Sequence, residues 1–400
     1  MANNIYNAAA LTAGATTTVT VTDDGSGTDW LILPPGPFDN DYSTFRLEWR
    51  VTDAVSTQAR VTFWIGTASY SLEVNGLIEN VRGAISDDWV NGNEANNLIY
   101  GDTARSGAGG NDTLGGHYGN DTIYGGAGND EIGGSYDNDL LYGDAGDDML
   151  SGGSGRDTLE GGAGADSLYG GADGSDWITY NASPTGVTVT LIAGSTSSGS
   201  GGHAAGDRIY GINNVKGSAF GDTLRDSPQS NAYNANIFKG MAGNDRLFLG
   251  GNHDTGYGGT GNDQLFGEAG NDTLRGEAGN DLLRGGLGVD QLYGGGDADR
   301  FIFAQVSEST PGARDVIRDF HRAEADKIDL GLIDARSGTA TNDAFSYIGN
   351  AAFTGVKGQL QWLDSGADIL VRADVNGDKV ADFAVLVTNV TRLQLSDFVL

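Results

Sequence analysis

An aspartate returns every nine residues through two long stretches of this chain. In the first stretch it falls at Asp112, Asp121, Asp130, Asp139, Asp148, Asp157 and Asp166. In the second it falls at Asp245, Asp254, Asp263, Asp272, Asp281, Asp290 and Asp299. Two residues after nearly every one stands a large apolar residue, as in Leu114, Ile123, Leu150, Leu265, Leu283 and Phe301. Gly256 is the one gap in that series. Glycines lie mostly five, four and two residues before the aspartate. They include Gly126, Gly128, Gly153, Gly155, Gly162 and Gly164 in the first block, and Gly259, Gly261, Gly270, Gly279, Gly286 and Gly288 in the second. A flexible acidic linker does not hold such a phase, because nothing in a disordered chain locks an apolar residue to each acid. A stacked repeat does.

Each part of the nonapeptide has a physical task. Glycine opens backbone angles closed to other residues, so the chain can turn sharply. Asn or Asp just before the ladder aspartate, as at Asn111, Asn129 and Asp147, suits the same turn. The apolar residue and its two neighbours read as a very short strand with one side chain pointing inward. One such strand cannot bury its apolar side alone, but stacked copies can. With two nonapeptides per coil, residues eighteen apart stack at about 4.8 Å. Asp112, Asp130, Asp148 and Asp166 then line one edge, and Asp121, Asp139 and Asp157 the other. Columns of carboxylates at that spacing repel unless a cation lies between them. Calcium suits the place, since it takes about six to eight oxygens in a tolerant geometry, carboxylates and backbone carbonyls alike. One ion per pair of stacked turns gives about 7 − 2 = 5 sites per block, roughly ten in all. Ten divalent ions would bring the formal charge from −31 to about −11. Without metal, the chain is expected to be largely disordered.

The repeats resemble those of RTX (repeats-in-toxin) proteins, over roughly residues 92–303. The resemblance implies an all-β fold built on a parallel β-roll with calcium in its turns. It implies no activity, because toxins, proteases, lipases, epimerases, adhesins and surface-layer proteins carry such repeats alike. Further on, Phe301-Ile302-Phe303, the run Asp315 to Phe320, and Asp326-Lys327-Ile328-Asp329-Leu330 resemble the C-terminal capping region of serralysin-type proteins. The closing residues Asp397-Phe398-Val399-Leu400 resemble the uncleaved type I secretion signal of that group. No basic n-region followed by an apolar h-region opens the chain. Type I secretion machinery is therefore the expected partner. The chain would pass it unfolded in low cytosolic calcium and fold outside, where calcium is millimolar.

Five segments are expected. Residues 1–91 alternate like strands at Thr17–Thr22, Phe45–Val51, Val61–Ile65 and Tyr70–Val74, and read as an antiparallel β domain anchored by Trp30, Trp49 and Trp64. Residues 92–177 form the first roll block, 178–239 a degenerate spacer continuing the roll, 240–303 the second block, and 304–400 a β-rich cap with the secretion signal. Asp207 and Asp222 start degenerate units in the spacer, and Ser195–Gly202 reads as a loop. The irregular turn before Asp254, with Gly256 after it, predicts a local defect. Asp374, Asn376, Asp378 and Asp382 match the first half of an EF-hand-like calcium loop. Val385 stands where that loop needs a glutamate, so a polar hairpin turn is the alternative.

No catalytic set emerges. The four histidines, His117, His203, His253 and His321, belong to no H-E-x-x-H motif, and no G-x-S-x-G elbow is present. Without cysteine, neither disulfides nor thiol chemistry enter. The strong acidity argues against nucleic acid, and no run is long and apolar enough for a membrane span. Aromatics three residues after the ladder aspartate, Tyr124, Tyr142, Tyr169, Phe248, Tyr257, Phe266 and Tyr293, could stack on sugars or on another copy, or pack under neighbouring segments. A secreted, non-enzymatic calcium-binding protein follows, self-assembling at the cell surface or in the matrix as a surface-layer or fibre subunit. Binding of a surface polysaccharide, as by the R-modules of alginate epimerases, and an enzyme with an unrecognised site in residues 1–91 are the alternatives.

Overall fold

The computed structural model describes residues 81–400 except 84–86, 93, 103–108, 172–174, 193–195, 228–234 and 339–341, together with the backbone of the strands before residue 81. The chain divides into two compact units, Met1–Ser183 with Thr196–Asn214, and Pro184–Ser195 with Val215–Leu400. The expected spacer is thus shared between them.

In the first unit the nonapeptides coil as the spacing requires. Each strand pairs in parallel with the strand eighteen residues on, so alternate repeats build alternate sheets. Thr122–Ala127 pairs with Leu140–Ala145, aligning Ile123 with Leu141 and Tyr124 with Tyr142. Glu131–Tyr136 pairs with Met149–Ser154 in the other sheet, aligning Ile132 with Leu150. The strands are longer than the expected triplet. They run on through the glycines of the next turn, and the pairing of Gly126 with Asp144 and Ala127 with Ala145 resumes after a skip at Gly125. Between the two sheets lie the apolar residues of the ladder, Leu114, Ile123, Ile132, Leu141, Leu150, Leu159 and Leu168, all nearly free of solvent contact.

Before the repeats, Phe45–Val51, Gln58–Ile65 and Ala68–Asn75 form an antiparallel meander. Other early strands are parallel. Trp30–Ile32 pairs with Asn80–Arg82, which pairs with Leu98–Tyr100. Asp88–Asn91, ahead of the first nonapeptide, already pairs with Thr113–His117. The side chains of Trp30, Trp49 and Trp64 lie outside the described residues. After the first block, Trp177–Thr179 and Arg208–Tyr210 extend the two sheets. Ser195–Gly202 is not simply a loop. Ser197–Ser200 pairs antiparallel with Arg208–Tyr210, which gives its backbone partners and buries Ser197.

The second unit repeats the arrangement. Gln264–Ala269 pairs with Leu282–Leu287, and Thr273–Ala278 with Gln291–Gly296. The first strand of the spacer here, Thr188–Leu191, aligns with Thr223–Asp226 and buries Val187, Val189 and Leu191. Past the repeats, Val316–Ile317 and Lys327–Asp329 add to the two sheets, and Phe398–Val399 pairs beside Lys327–Asp329. An antiparallel three-stranded sheet, Gln359–Ser365, Asp368–Asp374 and Phe383–Val387, joins through its last strand to Val316–Ile317.

The gap at Gly256 is filled from elsewhere. The strand before it, Arg246–Phe248, stops after three residues, and the next residue, Leu249, is fully buried. A methyl carbon placed on Gly256 would lie 3.2 Å from Leu249 Cδ1. Leu249 therefore occupies the room that an apolar residue at 256 would take, and the predicted defect is an exchange of positions. Leu249→Ala should cost about 2–5 kcal/mol of stability in the calcium-loaded protein, as loss of any fully buried leucine does. Denaturant unfolding checks this, and a change below about 1 kcal/mol would show that Leu249 does not fill that space.

Candidate metal centre

The ladder aspartates are all buried although each carries a carboxyl group. Asp112, Asp121, Asp130, Asp139, Asp148, Asp157, Asp166, Asp245, Asp254, Asp263, Asp272, Asp281, Asp290 and Asp299 each expose at most 2% of their surface. One carboxylate oxygen of each is used between coils. Asp112 N–H donates to Asp130 Oδ1 at 2.7 Å, Asp130 to Asp148 at 2.8 Å, and Asp148 to Asp166 at 2.9 Å. On the other edge Asp121 donates to Asp139 and Asp139 to Asp157, both at 2.8 Å. The second unit does the same: Asp245 to Asp263 to Asp281 to Asp299, and Asp254 to Asp272 to Asp290.

The other oxygen has no such use. In Asp112, Asp121, Asp130, Asp139, Asp148, Asp166, Asp245, Asp254, Asp263, Asp272, Asp281, Asp290 and Asp299, Oδ2 is buried and finds no hydrogen-bond donor. A buried carboxylate oxygen without a partner is costly, so a fold that repeats it thirteen times leaves a place for a cation. The glycine five residues earlier makes the room. A side chain added at Gly143 would fall on Asp148 Oδ2 and the Gly161 carbonyl, and one at Gly285 on Asp290 Oδ2. Beside Asp148 and Asp290 the oxygen thus lies in a hollow that only glycine leaves open, with a backbone carbonyl of the next coil beside it in the case of Gly143; before Asp254 the same place is taken by Leu249.

The glycines expected to face the metal shape the rest of the turn. Gly126, Gly153, Gly162, Gly259 and Gly286, four before the aspartate, have φ between 99° and 115°. Gly128, Gly155, Gly164, Gly261, Gly270, Gly279 and Gly288, two before it, have φ between 127° and 151°. These angles are open to glycine and strained for most other residues. A side chain at Gly164 would also strike the carbonyl of Gly146, the equivalent residue one coil earlier. Where glycine is replaced, the turn keeps its shape: His117, Ser135, Asp137 and Asp144 all have φ between 69° and 84°.

Burial pushes these carboxyls far above their usual range, helped by neighbouring rungs and opposed by the N–H each accepts. Asp148 and Asp281 are pushed up to about 8, and Asp112, also facing Asp88, to about 9. Among the described residues no group of three or more His, Cys, Asp or Glu could hold a metal by side chains alone. The hollows fit calcium nonetheless, because it accepts one or two carboxylates completed by backbone carbonyls. Bound there, calcium would neutralise the orphaned oxygens and tie adjacent coils together.

Several rungs escape a nine-residue count. Asp157 N–H donates to Asp176 Oδ1, Asp166 to Asp207, Asp222 to Asp245, Asp290 to Asp315 and Asp299 to Asp326, at 2.7–3.0 Å. The signal is the short pattern of an aspartate two before an apolar residue, by which Asp207 and Asp222 read as degenerate units and which Asp176-Trp177-Ile178 also carries, one residue out of phase behind Gly170, Gly171 and Gly174. An outer ladder was also missed. Asn129 N–H donates to Asn111 Oδ1, Asn138 to Asn120 and Asn262 to Asn244, at 2.7–2.9 Å. It points opposite to the inner ladder, since here the later residue donates. Even His253 takes part, its Nδ1 accepting from Asn271 N–H at 2.8 Å.

The EF-hand-like stretch is built differently. Asp374 accepts from Gly377 and Lys379 N–H, one on each oxygen, and Asp382 from Val375 N–H and the Asn376 side chain. Asn376 and Asp378 each accept from the N–H two residues on. Residues 375–382 thus close a hydrogen-bonded hairpin turn between two antiparallel strands, the alternative that the missing glutamate left open. Its Asp374 and Asp382 oxygens have donors, unlike Oδ2 of the ladder.

The raised carboxyls fix the sign of a pH effect in calcium-free protein. Their folded-state values lie above the ordinary value of 3.8. The protonated form therefore favours the coil, fully so below the ordinary value, and that support is lost as pH rises through about 6 to 9. In chelator, the sheet signal in circular dichroism should be stronger near pH 4 than at pH 8. With excess calcium the order reverses, because protons compete with the metal. Equal disorder at both pH values in chelator would contradict the burial of these groups.

Comparison with known proteins agrees with this geometry. Residues 229–400 match the family model of the peptidase M10 serralysin C terminus. Residues 75–103, 106–141, 130–159 and 142–178 match that of the RTX calcium-binding nonapeptide repeat. No curated protein matches the chain. Among solved structures, the R3 subunit of the AlgE6 mannuronan C5-epimerase from Azotobacter vinelandii is 25% identical, with 37% of this chain and 73% of that one covered, at a TM-score of 0.16. The extracellular lipase LipA from Serratia marcescens is 18% identical, with 71% of this chain and 40% of that one covered, at a TM-score of 0.23. The chain thus carries RTX calcium-binding nonapeptide repeats coiled as a β-roll, followed by a serralysin-type C-terminal region.

Proposed function

We propose that this is a secreted, non-enzymatic β-roll protein that folds outside the cell as calcium loads. There it acts as a self-assembling structural protein of the cell surface or matrix. The observation that carries the reading is the set of thirteen buried carboxylate oxygens without donors. They make the folded coil depend on a cation that is scarce in the cytosol and abundant outside. The serralysin-type C-terminal match supports export by type I machinery. About ten ions is the expected load.

Self-assembly is supported by the outward faces of the first unit. Leu140, Met149, Tyr136 and Tyr169 each expose 36–48% of their surface on flat, rigid sheets. The aromatic rows there stack on themselves: Tyr124 on Tyr142 at 4.7 Å and Tyr169 on Tyr210 at 4.6 Å. Their ring faces are therefore covered by one another, which weakens a role as sugar platforms.

One observation favours a second reading, binding of an acidic polysaccharide. In a chain of formal charge −31, Arg225, Arg246, Arg284, Arg300 and Lys327 lie on strands of one sheet in the second unit. Glu308 pairs with Arg284 and Asp329 with Arg300, whereas Arg225 and Arg246 lie beside the Phe248 ring with no ion pair to a carboxylate among the described residues, and form the candidate contact for a polyanion.

Calcium titration followed by circular dichroism and light scattering tests the main reading. A cooperative gain of sheet, then calcium-dependent growth in size, is expected. A holo protein that stays monomeric at high concentration would remove self-assembly, and sheet that survives chelation would remove calcium-dependent folding. Retention on an acidic polysaccharide column that is lost in Arg225→Ala/Arg246→Ala would establish the second reading instead.

A further inference from the structure

The rungs of the ladder are not chemically alike. At thirteen nonapeptide rungs, Asp148 among them, Oδ2 finds no donor. At three rungs outside them, protein groups fill that role. Asp207, which takes the N–H of Asp166 on Oδ1, has its Oδ2 held by the Tyr180 hydroxyl at 2.9 Å. Tyr180 is among the largest fully buried side chains, and this hydrogen bond gives its hydroxyl a use there. At Asp222 the Ser218 N–H donates to Oδ2 at 2.6 Å, and the Ser218 hydroxyl to Oδ1 at 2.8 Å. At Asp326 the His321 N–H donates to Oδ2 at 2.6 Å. Asp315 goes the other way. It lies outside the repeats with no glycine-rich turn before it, yet it is fully buried and its Oδ2 has no donor.

We infer that this chain sorts its rungs by what completes the second oxygen: calcium at the nonapeptide rungs and at Asp315, protein donors at Asp207, Asp222 and Asp326. The inference rests on the calcium reading of the nonapeptide ladder and refines it by assigning which aspartates do and do not take metal. The physical logic is one of substitution. A buried carboxylate must be met by a cation or by donors, and either satisfies the same lone pairs. A hydroxyl or N–H within hydrogen-bond distance also occupies the side from which an ion would approach. In each unit the donor-closed rungs stand next to the last or first calcium rung of a column: Asp207 after Asp166, Asp222 before Asp245, Asp326 after Asp299. At these three column ends the coil is held without metal, whereas the column that runs through Asp290 ends on Asp315, a calcium rung.

Calcium stoichiometry by equilibrium dialysis and atomic emission, on the full chain, tests the assignment. Asp207→Asn keeps an oxygen for Asp166 N–H and should leave the number of bound ions unchanged. Asp148→Asn and Asp315→Asn should each lower it by at least one. If Asp207→Asn loses as many ions as Asp148→Asn, or Asp315→Asn loses none, the sorting is wrong. If Asp148→Asn itself loses none, the calcium reading of the ladder fails, and the sorting with it. A second measurement does not depend on ion counting. Tyr180→Phe should lower the folding equilibrium constant at fixed calcium about tenfold or more, as expected for a lost hydrogen bond to a charged group. In an Asp207→Asn background the same change should have a much smaller effect, since the neutral amide does not require that donor. Additive effects would overturn the role given to the tyrosine.

Discussion

A carboxylate taken out of water and met on only one side is the constraint from which the rest of this fold follows. Every nonapeptide buries an aspartate, and one of its oxygens receives the N–H of the equivalent aspartate one coil earlier. That bond sets the coil spacing. The second oxygen is left facing a hollow, and the hollow has to hold positive charge for the coil to persist at neutral pH. The repulsion of stacked carboxylates, which would unwind a bare coil, becomes an affinity for calcium once the hollow is filled.

The glycine content is a consequence of that arrangement. The first glycine of the turn leaves room for the orphaned oxygen, as Gly143 does for Asp148. The second and third take backbone angles of opposite sign to those of the strands, as Gly153 and Gly155 do. The apolar core is correspondingly thin, one inward residue per repeat, so each contributes heavily and a missing one has to be replaced. Leu249 does this for Gly256. Two side-chain ladders running in opposite senses then fasten each coil to both neighbours: aspartates inside, asparagines outside.

The periodic part of this molecule was legible from residues alone because one short unit fixes its own environment. The eighteen-residue pairing, the two edges and the inward ladder all follow from the phase of Asp112 to Asp166 and Asp245 to Asp299. What was not legible lies where distant residues enter. Asp207 reads as a degenerate unit, but it follows Asp166 by 41 residues, and Asp315 follows Asp290 by 25, so local spacing does not say which rung each one joins. Leu249 could not be placed because its role is defined by an absence seven residues away. The pairing of Ser197–Ser200 with Arg208–Tyr210 was hidden by a composition that reads as loop. At Asp374 the acidic spacing suggested an ion, and it did not show the hairpin in which its oxygens accept backbone N–H groups.

The opposed ladders carry a consequence for how such a chain can change length in evolution. Because inner and outer bonds both join positions eighteen apart, a duplication or loss of eighteen residues leaves every later side chain on its own edge and its own sheet. A step of nine keeps the motif intact to the eye yet moves all that follows to the opposite edge, setting the tyrosine row of one sheet against the partners of the other. Lineages of this architecture should therefore grow and shrink by whole turns, and a half-turn change should survive only where the repeat is already broken, as in the 41-residue step from Asp166 to Asp207.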